Sequence, residues 1–293
     1  MNYEQYLKRE GYSKSTIVYH LKAIRRFSQW AEKEHIELTE ATYTEILAYV
    51  QYCQQQGAGK TGTSRYLTAI KNYYNYLVNI GTIKGNPAES IKLQGLNRKK
   101  LYDILSPLEL TTLYQKYTKQ PTADEWKHSR NVAIAGLLIF QGLTATELIK
   151  LVPKDVNMRE GLVSVPGTRR SNERILKMEV TQIMDLLNYV NTGREKLNNN
   201  MLQPCEKLFF NKAGSSYLNG VLRYVIYELK KLEPRLESLL HIRASVITKW
   251  LKKHNLRKAQ YMAGHRYISS TESYLVNDLE GLQEEINQYH PLG

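Results

Sequence analysis

Four stretches of the chain hold side chains suited to chemistry on a phosphate. They are Gly142-Leu143-Thr144-Ala145-Thr146-Glu147-Leu148, the turn at Thr168-Arg169-Arg170, Leu240-His241-Ile242-Arg243, and Gly264-His265 followed nine residues later by Tyr274. A phenol attacking a phosphodiester needs cations and hydrogen-bond donors around the five-coordinate phosphorus, a proton donor for the leaving oxygen, and no metal if those suffice. Guanidinium, imidazole and phenol are such groups. Singly each is weak evidence, since the chain has 22 tyrosines, a histidine after glycine is more often structural, and a helix-surface arginine often only grips a phosphate. The signal lies in the set and its order along the chain.

These stretches need elements to hold them. Ser13 to Ala31 carries Ile17, Leu21, Ile24 and Phe27 at helical spacing, with Lys22, Arg25 and Arg26 on other faces and Ser13 as cap. A second amphipathic segment follows Thr39 through Ile46, Leu47 and Val50. A third runs from Thr63 to Ile80 and is stopped by Gly81. Asn86-Pro87 breaks the pattern, and Gln94-Gly95-Leu96-Asn97-Arg98-Lys99-Lys100 reads as a basic interdomain linker. Ser106-Pro107-Leu108-Glu109 then opens a helix with proline in its first turn and glutamate at its third position. A buried helix over Arg130–Gln141, two short strands at Leu162–Val165 and Arg174–Met178, and further helices complete the reading.

The bulk numbers agree with a cationic, two-part protein. Lys and Arg total 41 against 28 Asp and Glu, a net charge of +13. The excess is shared, at +7 over residues 1–100 and +6 over the rest, as a two-sided grip on nucleic acid requires. Residues 201–260 hold 12 basic and 4 acidic side chains, whereas nothing after Tyr274 is Lys or Arg. That tail repeats Leu279, Leu282, Ile286 and Tyr289 among Asp278, Glu280, Glu284 and Glu285, an acidic amphipathic helix whose apolar stripe needs a groove.

Other chemistries find little support. Cys53 and Cys205 match no metal or redox spacing, the seven histidines include no His-Glu-x-x-His, and carboxylates do not cluster, so no metal and no cofactor are expected. Gly59-Lys60-Thr61 lacks the glycine that a nucleotide-binding loop requires. The longest apolar run, Val132–Phe140, is too short to span a bilayer, and the polar N-terminus lacks a signal-peptide core, so a cytoplasmic protein is expected.

The four stretches together resemble the tyrosine recombinase or phage integrase family. Its catalytic half has Gly-Leu-Arg-x-x-Glu-Leu, a hairpin lysine, His-x-x-Arg, and Leu-Gly-His followed by the nucleophilic tyrosine. Met262-Ala263-Gly264-His265 through Tyr274 is the strongest match, and the resemblance covers nearly the whole chain, including the Asn86-Pro87 end of a helical front half. It implies a mainly α fold with a small β-sheet: an N-terminal helical core-binding (SAM-like) DNA clamp at 1–97, a basic linker at 98–105, and a C-terminal α+β catalytic domain of the DNA breaking-rejoining type at 106–293. The C-terminal exchange helix would begin near 277.

The resemblance further implies Tyr274 as nucleophile, Arg243 for charge neutralisation and His265 as donor. Three family positions are altered. The first arginine falls on Thr144, the hairpin lysine falls near Arg169, and the histidine of His-x-x-Arg falls on Leu240, with His241 one position late. Arginine is a poor proton donor, with a pKa above about 12, so Arg169 is read as a candidate replacement charge. Arg170 and Arg266 are equally open for that part. His241 is read as a packing or DNA-contact residue, because one position on a helix turns a side chain by about 100°.

Lys22, Arg25, Arg26, Arg65, Arg98, Lys99, Lys100, Arg170, Lys252, Lys253 and Arg257 are the expected DNA contacts. The expected partner is double-stranded DNA, gripped by a homo-tetramer on two sites, with no membrane. The expected function is a site-specific recombinase or integrase acting through a 3′-phosphotyrosyl intermediate. Thr144 and Leu240 motivate the alternative, a DNA-binding relative with impaired chemistry. A monomeric topoisomerase of type IB shares the nucleophile and stands as a third reading.

Overall fold

The computed structural model describes residues 1–95, 102–199, 205–211 and 213–275. The chain divides into two compact units, Met1–Arg98 and Lys99–Gly293. Arg98, Lys99 and Lys100 of the expected linker, and the helix expected from about 277, lie outside the described residues.

The first unit is helical: α1 (Tyr3–Arg9), α2 (Lys14–Lys33), α3 (Tyr43–Gln55) and α4 (Lys60–Asn79). Ser13 accepts a hydrogen bond from the Thr16 amide and so caps α2. Gly81, at φ +76°, provides the left-handed turn that lets the chain leave α4. The apolar stripes of α2, α3 and α4 meet in a core of Phe27, Trp30, Ile46, Tyr49, Leu67, Ile70, Tyr74 and Leu77. Asn86 then folds back, its amide donating to Lys71 O and its oxygen accepting from Ala88 N, so the segment through Ile91 packs on the same core. Helix α1 is not among the expected elements; its few apolar residues give too short a period, and Asn2 and Gln5 nucleate it through a capping box.

The second unit wraps helices around one buried helix. Ser106 and Glu109 form the capping box expected at the start of α5 (Pro107–Thr118). Then α6 (Glu125–Gln141) runs through the core, with Val132 to Ile139 all buried. Gly142 ends it in the left-handed region, at φ +57°. After α7 (Ala145–Lys150) come three antiparallel strands in the order β1 (Val156–Asn157), β2 (Leu162–Val165) and β3 (Arg174–Lys177). Register pairs Val163 with Leu176 and Val165 with Arg174. The two expected strands are present; β1 adds to them, and its two residues carry no readable alternation. Helices α8 (Val180–Asn188), α9 (Arg194–Asn199), α10 (Asn219–Leu232), α11 (Leu239–Lys253), α12 (Leu256–Ala263) and α13 (Ile268–Glu272) complete the unit.

Candidate active site

Three backbone features converge on one place. Gly142 stops α6 so that the Gly142–Thr144 turn leads straight into α7. Gly264 stops α12 at φ +68° and delivers His265. Helix α11 presents Arg243 from its first turn and a half. Arg243 is buried and donates from Nη1 to Gly142 O (2.5 Å) and from Nη2 to Ala263 O (2.7 Å). One guanidinium thus ties the two glycine turns together.

His265 sits against it, Nε2 lying 3.2 Å from Arg243 Nη2. Its other nitrogen, Nδ1, is 2.9 Å from the hydroxyl of buried Thr271 on α13. The ring stacks on Tyr274, with centroids 5.7 Å apart and planes 14° from parallel. Burial, with the nearby Arg243 and Arg174 charges, lowers the His265 pKa to about 4. The imidazole is therefore neutral at pH 7. Tyr274 is half-buried, two residues beyond α13. The structure thus brings Arg243, His265 and Tyr274 together.

The altered positions each have a physical explanation. Thr144 caps α7: its amide and hydroxyl donate to Glu147 Oε2 at 2.8 and 2.9 Å, while its oxygen accepts from Glu147 N. Leu240 is exposed, at 61%. His241 is buried and points away from Arg243, with Nε2 2.6 Å from Asp103 O and its ring stacked on Tyr102. The Glu237 amide donates to His241 Nδ1, so Nε2 carries the proton toward Asp103 O. His241 therefore anchors the chain entering the second unit.

Arg169 and Arg170 are exposed in the turn between β2 and β3. That hairpin is fastened to the Gly264–Arg266 segment. Asn172 N donates to Gly264 O (2.8 Å), Ser171 bridges to His265, and Arg266 Nη2 donates to Thr168 O (3.0 Å).

Two further residues belong to this site that the sequence reading does not single out. Glu147 and Arg174 are completely buried and paired at 2.6 Å, and Glu147 lies 4.0 Å from Arg243. Burial alone would raise the Glu147 pKa, but the hydrogen-bonded Arg174 guanidinium overrides it and holds the carboxyl at about 2. The capping pattern Thr144-x-x-Glu147 is a signal that could have found the first. For the second it is the inward position of Arg174, which shares the buried face of β3 with Leu176 while Ile175 is exposed.

Basic side chains expected at DNA occupy exposed helix faces. Lys22 and Arg25 are exposed on α2; half-buried Arg26 donates to Tyr66 Oη (3.0 Å) and lies over its ring, beside exposed Arg65 on α4. In the second unit Lys252, Lys253 and Arg257 are exposed at the end of α11 and on α12.

Known proteins are similar to this chain along most of its length. Residues 1–81 match the phage integrase N-terminal SAM-like domain. The tyrosine recombinase XerD of Shewanella oneidensis is 26% identical over 288 residues, covering 97% of this chain and 93% of that protein. The tyrosine recombinase XerC of Bacillus licheniformis is 25% identical, covering 98% and 94%. Along nearly its whole length the chain is thus similar to tyrosine recombinases. Solved tyrosine-recombinase-type folds agree: the XerH site-specific recombinase bound to a palindromic difH substrate superposes with a TM-score of 0.74 at 19% identity, over 92% of this chain and 78% of that one. The Tn1549 transposon integrase reaches 0.69 at 14% identity, over 98% of both chains. No described helix is long and apolar enough to cross a membrane.

Proposed function

We propose that this chain is a tyrosine recombinase that cuts and rejoins DNA at specific sites, with Tyr274 as nucleophile. The observation that carries the reading is the His265 ring, which stacks on Tyr274 on one side and meets the Arg243 guanidinium at Nε2. In the forward step a bond forms from the Tyr274 oxygen to phosphorus as the phenol gives up its proton, and the bond to the 5′-oxygen breaks, that oxygen taking a proton in turn, so no net proton is consumed. A 5′-hydroxyl from another strand reverses the step, so the phosphotyrosine conserves the bond energy and no cofactor is consumed.

Arg243 neutralises charge on the non-bridging oxygens, and burial makes its guanidinium worth more there than in water. His265, neutral and accepting from Arg243 at Nε2, holds Arg243 and the stacked Tyr274 ring beside that group, and exposed Arg169 is a flanking cation. The exposed basic faces on α2 and α4, with Arg98, Lys99, Lys100, Arg170, Lys252, Lys253 and Arg257, hold the duplex through its phosphates. We further propose residues 1–97 as the core-binding part, 98–105 as linker and 106–293 as the catalytic part, working as a cytoplasmic homo-tetramer on two DNA sites. A mobile element is the proposed setting.

The relatives named above are called tyrosine recombinases, and XerH was captured on DNA in a post-cleavage complex, which supports the reading. The test is a trapped-adduct assay on phosphorothiolate DNA taken from beside the protein's own coding region. A covalent adduct that Tyr274→Phe abolishes is expected. An adduct that survives the substitution, or none on any substrate despite tight binding, would overturn it.

A further inference from the structure

We propose that Arg174 supplies, through Glu147, the positive charge that position 144 does not: it neutralises that buried carboxylate so that Arg243 meets the phosphate with its own charge unspent. Arg174 is thereby a positioning residue of the reaction proposed above, on which this inference rests.

Charge placement leads to this view. Glu147 is wholly buried, yet it remains because its oxygens close the turn that carries Gly142 and Thr144: Oε2 accepts from both Thr144 donors. That turn in turn supplies the carbonyl that Arg243 Nη1 grips. A carboxylate is thus built into the phosphate site, 4.0 Å from buried Arg243, which faces His265. Left alone, it would cancel the Arg243 charge and repel an incoming phosphate. Thr144 offers only neutral donors against it.

Arg174 reaches in from β3 and takes Glu147 Oε1 at 2.6 Å. It is aimed there by a second bond, from Nε to Met262 O at 2.7 Å. Its path is kept open by Gly264, where a Cβ would lie 2.5 Å from Arg174 Nη1. The remaining amino group, Nη2, is buried with no hydrogen-bond partner among the described residues, so one corner of the guanidinium is not committed to Glu147. The buried cluster of Arg174, Glu147 and Arg243 therefore carries one net positive charge beside a neutral imidazole. A packing residue would need neither the carboxylate nor the strand position facing it.

The test compares Arg174→Met, Arg174→Lys and the double variant Arg174→Met/Glu147→Gln with the wild type, in adduct formation and in the NMR titration of the His265 ring. Arg174→Met should slow adduct formation by ~10²-fold or more, the scale of losing one preorganised charge. Removing the stranded carboxylate as well should recover ~10-fold or more of that loss, and Arg174→Lys, which keeps the charge, should lose under ~10-fold. The His265 pKa should rise in Arg174→Met and fall back in the double variant. The proposal is overturned by an unchanged His265 titration in Arg174→Met, or by a double variant no better than the single one. Should Arg174→Met not fold, a ~10²-fold loss in Arg174→Lys overturns it equally. The titration needs no cleavage, so a chain that forms no adduct would count against the recombinase reading while the ring titration still decides the role of Arg174.

Discussion

Arg243 Nη2 lies 3.2 Å from His265 Nε2, and this fixes where the imidazole keeps its proton. A guanidinium has only donors, so Nε2 must accept and Nδ1 must carry the hydrogen, donating it to Thr271 Oγ1 at 2.9 Å. Nitrogen-15 NMR should find His265 as the Nδ1–H tautomer at pH 7. Thr271→Val removes the buried acceptor, and stability should fall by about 1–3 kcal/mol, the cost of an unpaired buried donor. A variant as stable as the parent in urea, with an unchanged tautomer, would refute this hydrogen-bond assignment.

Acid should loosen the site in two stages. The His265 pKa is depressed in the folded state, so its contribution is intact above the unfolded value near 6.5 and is lost as pH falls through about 4. Glu147, also depressed, contributes fully above its unfolded pKa of 4.5 and loses that contribution as pH falls through about 2. His265→Asn should therefore flatten the stability curve between pH 6.5 and 4, leaving the decline below 4 in place. Urea midpoints measured at pH steps check both signs.

Gly264→Ala should be costly for a local reason. The backbone is left-handed there, and the added methyl would meet Arg174 Nη1 at 2.5 Å. A loss of about 1–3 kcal/mol is expected, and adduct formation should fall with it. Gly220→Ala, with nothing within 4 Å of the new carbon, is the control.

His241→Leu should separate anchoring from chemistry. The imidazole holds Asp103 O and stacks on Tyr102, and it faces away from Arg243. Thermal stability should drop, while adduct formation per folded molecule stays within about threefold, less than about 1 kcal/mol on the barrier. A ~10²-fold loss in a folded variant would make it part of the reacting group.

Replacing Lys252, Lys253 and Arg257 by alanine should weaken DNA binding on every sequence alike. For each phosphate that is no longer neutralised, the slope of log affinity against log salt should shrink by about 0.9. An unchanged slope would mean that this face does not meet the duplex.

Much of this is legible without coordinates. The Ser13 and Ser106 caps, the stops at Gly81 and Gly142, and the two longer strands are local events encoded by neighbours in sequence. Tyr274, His265 and Arg243 are legible through their types and order. The fate of His241 is not, because Asp103, its partner, is 138 positions away. Arg174 escapes notice for the same reason: Glu147 and Met262, which give it a role, come from α7 and α12. Its sign is the arginine at an inward strand position, where an unpaired charge would be forbidden.

The fastening of the β2–β3 hairpin to the Gly264–Arg266 segment has a practical side. Stretches more than ninety positions apart share backbone pairing at Asn172 and Gly264 and again at Ser171 and His265. Whoever swaps the hairpin for that of a relative also resets the imidazole, so chimeras should exchange both pieces as one cassette. Lengthening the arm by a single residue would transplant the turn yet leave its docking partner out of step.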